Sequence, residues 1–183
     1  DTFAWIPYSS SVPLSLTSGD GPKVIQVTFR DLAGNLSETL LQTTTLDTTP
    51  PGGLGVNAPD DAIPGPDVTL TLSAVDATTM TLSGDLTNGA TVPYAPTFIA
   101  ILNPGTGSRT IEVVFSDEAG NTGNRDVTVF QDATPPSIIS FDFSPSGGAT
   151  NNSNVVLTLD ASDAHTGVEE VAFFNANPGT CDA

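Results

Sequence analysis

Residues 29–35 read Phe-Arg-Asp-Leu-Ala-Gly-Asn, and residues 115–121 read Phe-Ser-Asp-Glu-Ala-Gly-Asn. The stretch Leu-Asp-Thr-Thr-Pro-Pro at 46–51 likewise returns as Gln-Asp-Ala-Thr-Pro-Pro at 131–136. Both phrases recur at a spacing of about 85 residues, and a long fixed period is typical of tandem structural modules. We therefore expect the function to reside in an array of modules rather than in a single active site.

A third repeated stretch sets the phase of the modules. The sequence Val-Thr-Leu-Thr-Leu-Ser-Ala-Val-Asp-Ala at 68–77 resembles Val-Val-Leu-Thr-Leu-Asp-Ala-Ser-Asp-Ala at 155–164. We take the double proline as the module boundary. The chain then divides into the C-terminal half of one module, a complete module and the N-terminal half of another, at residues 1–50, 51–135 and 136–183.

The pattern of apolar residues predicts strands throughout. Apolar and polar residues alternate, and no stretch keeps a helical apolar period over three turns. Short alternating runs rich in Thr, Val and Leu, separated by turn residues, are typical of a β-sandwich. The predicted strands cover residues 23–30, 40–46, 68–74, 79–83, 110–115, 126–130, 155–161 and 168–174. The sequence therefore predicts an all-β fold of tandem β-sandwich modules, each of about 85 residues.

The repeated Asp-x-Ala-Gly-Asn phrase is expected to be a hairpin turn. Its glycine, at Gly34 and Gly120, tolerates positive φ. Its aspartate, at Asp31 and Asp117, is placed to accept backbone N–H groups. A second reading is that these two carboxylates also ligate calcium. The double prolines are expected to act as stiff linkers between modules, because proline ends a strand and stays extended.

Charge and cysteine content limit the partners. The chain has 21 acidic and 4 basic residues, for a net charge of −17. Nucleic acid is excluded as a partner because it requires a basic surface. The acidity serves solubility and repulsion between neighbours, or it binds divalent cations. No run is long enough to span a membrane as a helix. Cys181 is the single cysteine, so its partner would lie elsewhere, or it is a free thiol.

The turn phrase, the strand before it and the following Asp-x-Thr-Pro-Pro resemble the bacterial Ig-like repeats of large extracellular proteins. The likeness is clearest over residues 21–51 and 107–136. It implies an Ig-like sandwich, secretion to the cell exterior or surface, and a role as a stalk, adhesin spacer or filament. The paired cysteines of antibody domains are missing. Some related arrays bind Ca²⁺ near module junctions. The residues at matching positions are Asp47, Asp132, Asp76 and Asp163.

Residues for catalysis are sparse. His165 is the single histidine, and its counterpart in the preceding module is a threonine, so we interpret it as an exposed loop residue. No zinc set is expected, because the single cysteine and the single histidine lie at scattered positions. We therefore predict that the chain is not an enzyme. Two glycosylation acceptor triplets begin at Asn35 and Asn151, although such triplets are common by chance.

These observations predict a non-catalytic structural repeat of an extracellular rod, stalk or filament. The module halves at 136–183 and 1–50 together make one module, so neighbouring copies of the chain, arranged head to tail, are expected to complete each other with strands. If the chain is a segment of a longer polypeptide, which we favour, the two halves of each module belong to the same covalent chain. The alternative is an adhesin or carbohydrate-binding module that recognises a ligand through its loops.

Overall fold

The computed structural model describes residues 4–59, 62–144 and 149–174. It contains eleven strands and, in these ranges, no helix, so the all-β prediction is confirmed. Cys181 lies outside the described residues. The strands are β1 (Gly21–Val27), β2 (Leu40–Leu46), β3 (Gly52–Asn57), β4 (Asp67–Val75), β5 (Thr79–Gly84), β6 (Thr91–Pro93), β7 (Thr97–Ile101), β8 (Gly107–Ser116), β9 (Thr122–Gln131), β10 (Ser137–Ser144) and β11 (Val156–Ser162).

Seven consecutive strands, β3 to β9, form two antiparallel sheets that pack face to face. One sheet has the order β3-β4-β7, and the other has the order β6-β5-β8-β9. The longest pairing joins β8 to β9 over the Asp-x-Ala-Gly-Asn turn, from Gly107 opposite Gln131 to Ser116 opposite Thr122. We call this unit the middle sandwich.

The core of the middle sandwich is built from the inward faces of both sheets. Strands β4 and β8 alternate buried and exposed residues, as a half-buried pleated sheet requires. The buried apolar side chains are Val68, Leu70, Leu72, Met80, Leu82, Ala100, Leu102, Ile111, Val113, Phe115 and Val129. Burial of each larger side chain stabilises the fold by about 1.5–3 kcal/mol relative to exposure.

The remaining strands form two separate hairpins. Strand β1 pairs with β2, and β10 pairs with β11, each as a two-stranded antiparallel sheet. All the buried apolar side chains among the described residues belong to the middle sandwich. A lone two-stranded hairpin is at best marginally stable in water, because it has no second layer to cover its apolar face.

The repeat in the sequence is also a repeat in geometry. The rings of Tyr8 and Phe29 meet edge to face, with centroids 6.2 Å apart at an interplanar angle of 64°. Tyr94 and Phe115, at the matching positions, have the same separation of 6.2 Å and the same angle of 64°. The same aromatic contact is therefore made in both copies, although the β1–β2 ladder ends at Val27 and the β8–β9 ladder continues to Ser116.

One predicted strand is absent. Residues 168–174 have no strand structure, whereas the matching run in the middle sandwich forms β5. The physical reason is pairing: β5 is held between β6 and β8. Within the described part of the chain, residues 168–174 lie beside no strand that could play the role of β8.

Candidate functional site

The β1–β2 hairpin exposes an apolar face. Val27 and Phe29 are 41% and 51% exposed, whereas Val113 and Phe115 at the matching positions of the middle sandwich are 0% exposed. Because side chains alternate along a strand, these residues share one side of the hairpin. The side of the strand that is buried in β8 is therefore exposed to solvent in β1.

The β10–β11 hairpin exposes the complementary face. Leu157 and Leu159 are 38% and 42% exposed. Their counterparts on β4, Leu70 and Leu72, are 0% and 3% exposed. The inward face of β4 is therefore left in solvent on β11.

The counterparts of these two faces in the middle sandwich are the two sides of one core. In the middle sandwich the side chains of β4 and those of β8 belong to a single buried cluster. The exposed face of β11 corresponds to the β4 side of that cluster, and the exposed face of β1 corresponds to the β8 side. We call them the β11 face, with Val155, Leu157 and Leu159, and the β1 face, with Ile25, Val27 and Phe29.

The first junction, after β2, is held from both sides. The Asp20 carboxylate accepts hydrogen bonds from the backbone N–H and the hydroxyl of Thr48, at 2.9 and 2.8 Å, and one from the hydroxyl of Thr49. From the other side, the Asn121 amide donates to the Asp47 carbonyl oxygen at 3.2 Å. These bonds restrain the threonines just before the double proline.

The second junction, after β9, repeats this arrangement. The hydroxyls of Thr106 and Thr134 are 3.1 Å apart, and Ala133 N–H donates to the Thr106 hydroxyl. From the following segment, the Thr166 hydroxyl donates to Asp132 Oδ2 at 2.8 Å. In both linkers the aspartate of Asp-x-Thr-Pro-Pro accepts the threonine N–H at 3.0 Å.

The Asp-x-Ala-Gly-Asn turn is fixed by its own side chains. Asp117 Oδ1 accepts the Asn121 backbone N–H at 2.8 Å, and Oδ2 accepts the Asn121 amide at 2.9 Å. Asp31 and Asn35 make the same pair of bonds, both at 2.8 Å. Burial raises the pKa of Asp117, but the hydrogen bonds from Asn121 and the turn N–H groups outweigh it, and the pKa lies below its usual value.

The predicted metal ligands fall into two groups. Asp132, Asp163 and the unpredicted His165 offer ligand atoms that all lie within 4.8 Å of one another. Asp132 is supplied by the end of β9, and its N–H donates to the Ile63 carbonyl at 2.9 Å. Asp163 and His165 come from the loop after β11. The hydrogen bonds that Asp163 accepts from the backbone N–H groups of His165 and its neighbours lower the pKa of Asp163.

The other predicted ligands are not brought into such a group within the described ranges. The carboxylates of Asp31 and Asp117 are engaged by the turn asparagines. Asp47 Oδ1 accepts the Thr49 N–H. Asp76 follows β4 with a positive φ of 70°. These four stay predictions as calcium ligands.

The two glycosylation candidates are both exposed. Asn35 lies in the first hairpin turn, and its amide nitrogen, the atom that would carry a sugar, donates to Asp31. Asn151 lies in the loop between β10 and β11. Both stay predictions, and the Asn35 hydrogen bond would have to break for modification.

Sequence reasoning missed the contact of His165. Its side chain is 39% exposed, in agreement with a loop position, but Nδ1 lies 3.8 Å from Asp132 Oδ1 and the ring faces Phe130 with centroids 6.4 Å apart. The sequence feature that could have indicated this contact is the histidine at 165, where the preceding module has Thr78. Asp132 and Asp163 were already candidate ligands near the same junction. The distance between these residues across the junction cannot be read from the sequence.

Comparisons with known proteins found no matching protein-family model and no matching curated protein. Among the described residues no helix is long and apolar enough to cross a membrane.

Proposed function

We propose that the chain is a non-catalytic structural repeat of an extracellular rod, stalk or filament, in which a neighbouring copy, or a neighbouring module of the same polypeptide, completes each half sandwich. The observation that carries this proposal is the pair of complementary apolar faces. The β11 face of one copy covers the β1 face of the next, as β4 covers β8 in the middle sandwich. Because the two faces differ, the contact is head to tail and gives an open filament.

Several observations support this assembly. The six side chains of the two faces match six of the eleven buried apolar residues in the core of the middle sandwich. The exposed residues Val171, Phe173 and Phe174 follow the β11 face, where the middle sandwich has β5. In the assembled module they would pair with β1 of the neighbouring copy, as β5 pairs with β8. The order of the sheets also supports the finer prediction of an Ig-like topology, with a β6-β5-β8-β9 sheet opposite a β3-β4-β7 sheet.

The junctions support a rod rather than a flexible chain of beads. Each linker contains a double proline, which restricts the backbone. Each is also hydrogen-bonded to the module before it and to the segment after it. A linker that is hydrogen-bonded on both sides restricts the orientation of one module relative to the next. The strongly acidic surface keeps such rods apart laterally.

The assembly is tested by light scattering on the purified chain with paired variants. Phe29→Asp places a charge on the β1 face, and Leu159→Asp places one on the β11 face. Val24→Asp is the matched control, because Val24 is on the opposite side of β1 and is 59% exposed. We expect the original chain and the control to form oligomers that grow with concentration, and each face variant to stay monomeric.

Mixing the two face variants sharpens the test. Each retains one intact face, so an equimolar mixture should form dimers through the Phe29 side of one and the Leu159 side of the other, and stop there. A monomeric original chain, or equal loss of assembly in the control, would overturn completion between separate copies. For the binding-module alternative, Tyr94 is not a free ligand-binding aromatic, since its hydroxyl contacts the backbone of Leu72 and Ala74 within the fold.

A further inference from the structure

The second junction contains a carboxylate, Asp163, with one buried oxygen that protein partners do not satisfy. Asp163 Oδ1 accepts the backbone N–H groups of His165, Thr166 and Gly167. Asp163 Oδ2 is buried and has no hydrogen-bond partner among the described residues. An unpartnered buried carboxylate oxygen is costly, because it has lost its water without replacement. A bound cation would supply the missing partner.

The Asp132 carboxylate and the His165 imidazole lie close together but are not hydrogen-bonded to each other. Asp132 Oδ1 and His165 Nδ1 are 3.8 Å apart, which is too long for a hydrogen bond. The Asp132 side chain is only 6% exposed, so water does little to solvate it. One ligand atom from each of the three residues already lies within 4.8 Å of the other two. Small side-chain rotations would bring all three atoms to bonding distance of one ion, which is about 2.0–2.2 Å for zinc.

We propose that Asp132, Asp163 and His165 form a binding site for a zinc-class divalent cation. The donor set decides the class of ion. Zinc accepts imidazole nitrogen together with carboxylate oxygen in a four-coordinate site. Calcium takes six to eight oxygen ligands, and an imidazole does not suit it. At this junction the side chains therefore favour zinc over the calcium that the family resemblance implies.

The surroundings give the ion access and a fourth ligand. An open cavity lined by Ala62, Ile63, Pro64, Asp132, Thr166 and Glu169 borders the cluster. Water from this cavity, or the Glu169 carboxylate after a side-chain rotation, completes the coordination. The bound ion ties the loop after β11 to the end of β9, and so reinforces the Thr166–Asp132 hydrogen bond.

The preceding junction provides an internal control. Asp47, Asp76 and Thr78 occupy the matching positions, so the two carboxylates recur but the imidazole does not. Thr78 offers no imidazole nitrogen, so these three residues do not make the same donor set. A metal at the second junction and none at the first is therefore the expected distribution.

The site is tested by titrating the metal-free chain with Zn²⁺ in competition with a chromophoric chelator, and in parallel with Ca²⁺. We expect one zinc per chain, bound more tightly than calcium. His165→Ala and Asp163→Asn should each weaken zinc binding by at least about tenfold, since ligands matter at least as much as their supporting groups. Asparagine keeps the Oδ1 acceptor of the loop and removes the Oδ2 charge. Asp76→Asn is the matched control and should leave the affinity unchanged.

Thermal unfolding of each variant confirms that the middle sandwich is intact. Co²⁺ in place of zinc gives a second readout, because its absorption bands report a nitrogen-containing site of low coordination number. The proposal is wrong if zinc does not bind, if His165→Ala and Asp163→Asn bind it as tightly as the original chain, or if calcium binds more tightly than zinc.

Discussion

At the scale of single residues, the Asp-x-Ala-Gly-Asn turn is the feature that the sequence predicts best. The sequence predicted that the aspartate accepts N–H groups and that the glycine takes positive φ, and both are observed at both copies. Local chemistry was enough for this prediction, because every partner lies within four residues. His165 is the opposite case. Its contact with Asp132 crosses 33 positions, and no local pattern encodes that distance.

The Asp117 carboxylate makes stability depend on pH in a defined direction. Its pKa is lower in the folded chain than its usual value, so the unfolded chain takes up the proton first as pH falls. Its stabilising contribution is present above the usual pKa of about 3.9 and is lost as pH falls through the lower folded value. Thermal unfolding of Asp117→Ala should show a destabilised sandwich at neutral pH. The gap to the original chain should close in acid. A gap that is constant with pH would contradict this account.

Gly120 should resist substitution for a reason of backbone alone. Its φ is 91°, and an added Cβ would meet no atom within 4 Å. Gly120→Ala is therefore expected to destabilise the middle sandwich by about 1 kcal/mol, the cost of a left-handed conformation without a steric clash. Gly34 has the same φ of 91° but lies in the β1–β2 hairpin. Gly34→Ala should leave sandwich unfolding in denaturant unchanged, and equal effects would contradict the assignment.

At the scale of strands, the same sequence pattern has two outcomes. The alternation that buries Phe115 leaves Phe29 half exposed, because a second sheet covers β8 and none covers β1 among the described residues. Alternation predicts which side of a strand is apolar, but not what lies against it. For the same reason residues 168–174, with a strand-like pattern, have no strand structure. Strand pairing is decided by neighbours, and the sequence does not show whether they are present.

Matched truncations separate these outcomes. Phe115→Ala should destabilise the middle sandwich by about 3–5 kcal/mol, the usual cost of removing a buried aromatic ring. Phe29→Ala should leave the unfolding of that sandwich unchanged when measured on dilute monomer. Denaturant unfolding followed by near-ultraviolet dichroism measures both. A similar loss for both variants would show that the β1 face is already covered within one chain.

At the scale of the whole molecule, charge opposes the assembly that the apolar faces favour. Each copy carries a net charge of −17, so neighbouring copies repel. Salt screens this repulsion with a Debye length of about 8 Å at 0.15 M. We therefore expect association, measured by light scattering, to strengthen from low salt to about 0.15 M and beyond. Association that weakens with added salt would indicate a contact based on ion pairs rather than on apolar faces.

The measurement that tests the central claim most directly is cryo-electron microscopy of the assembled chain. We expect Leu157 and Leu159 of one copy to pack against Val27 and Phe29 of the next, in a second sandwich that matches the first. The Asn35 amide of that neighbour should then contact the Asp132 carbonyl, as Asn121 contacts Asp47. Particles or filaments in which the β1 and β11 faces stay in solvent, or in which copies meet through other surfaces, would contradict the account.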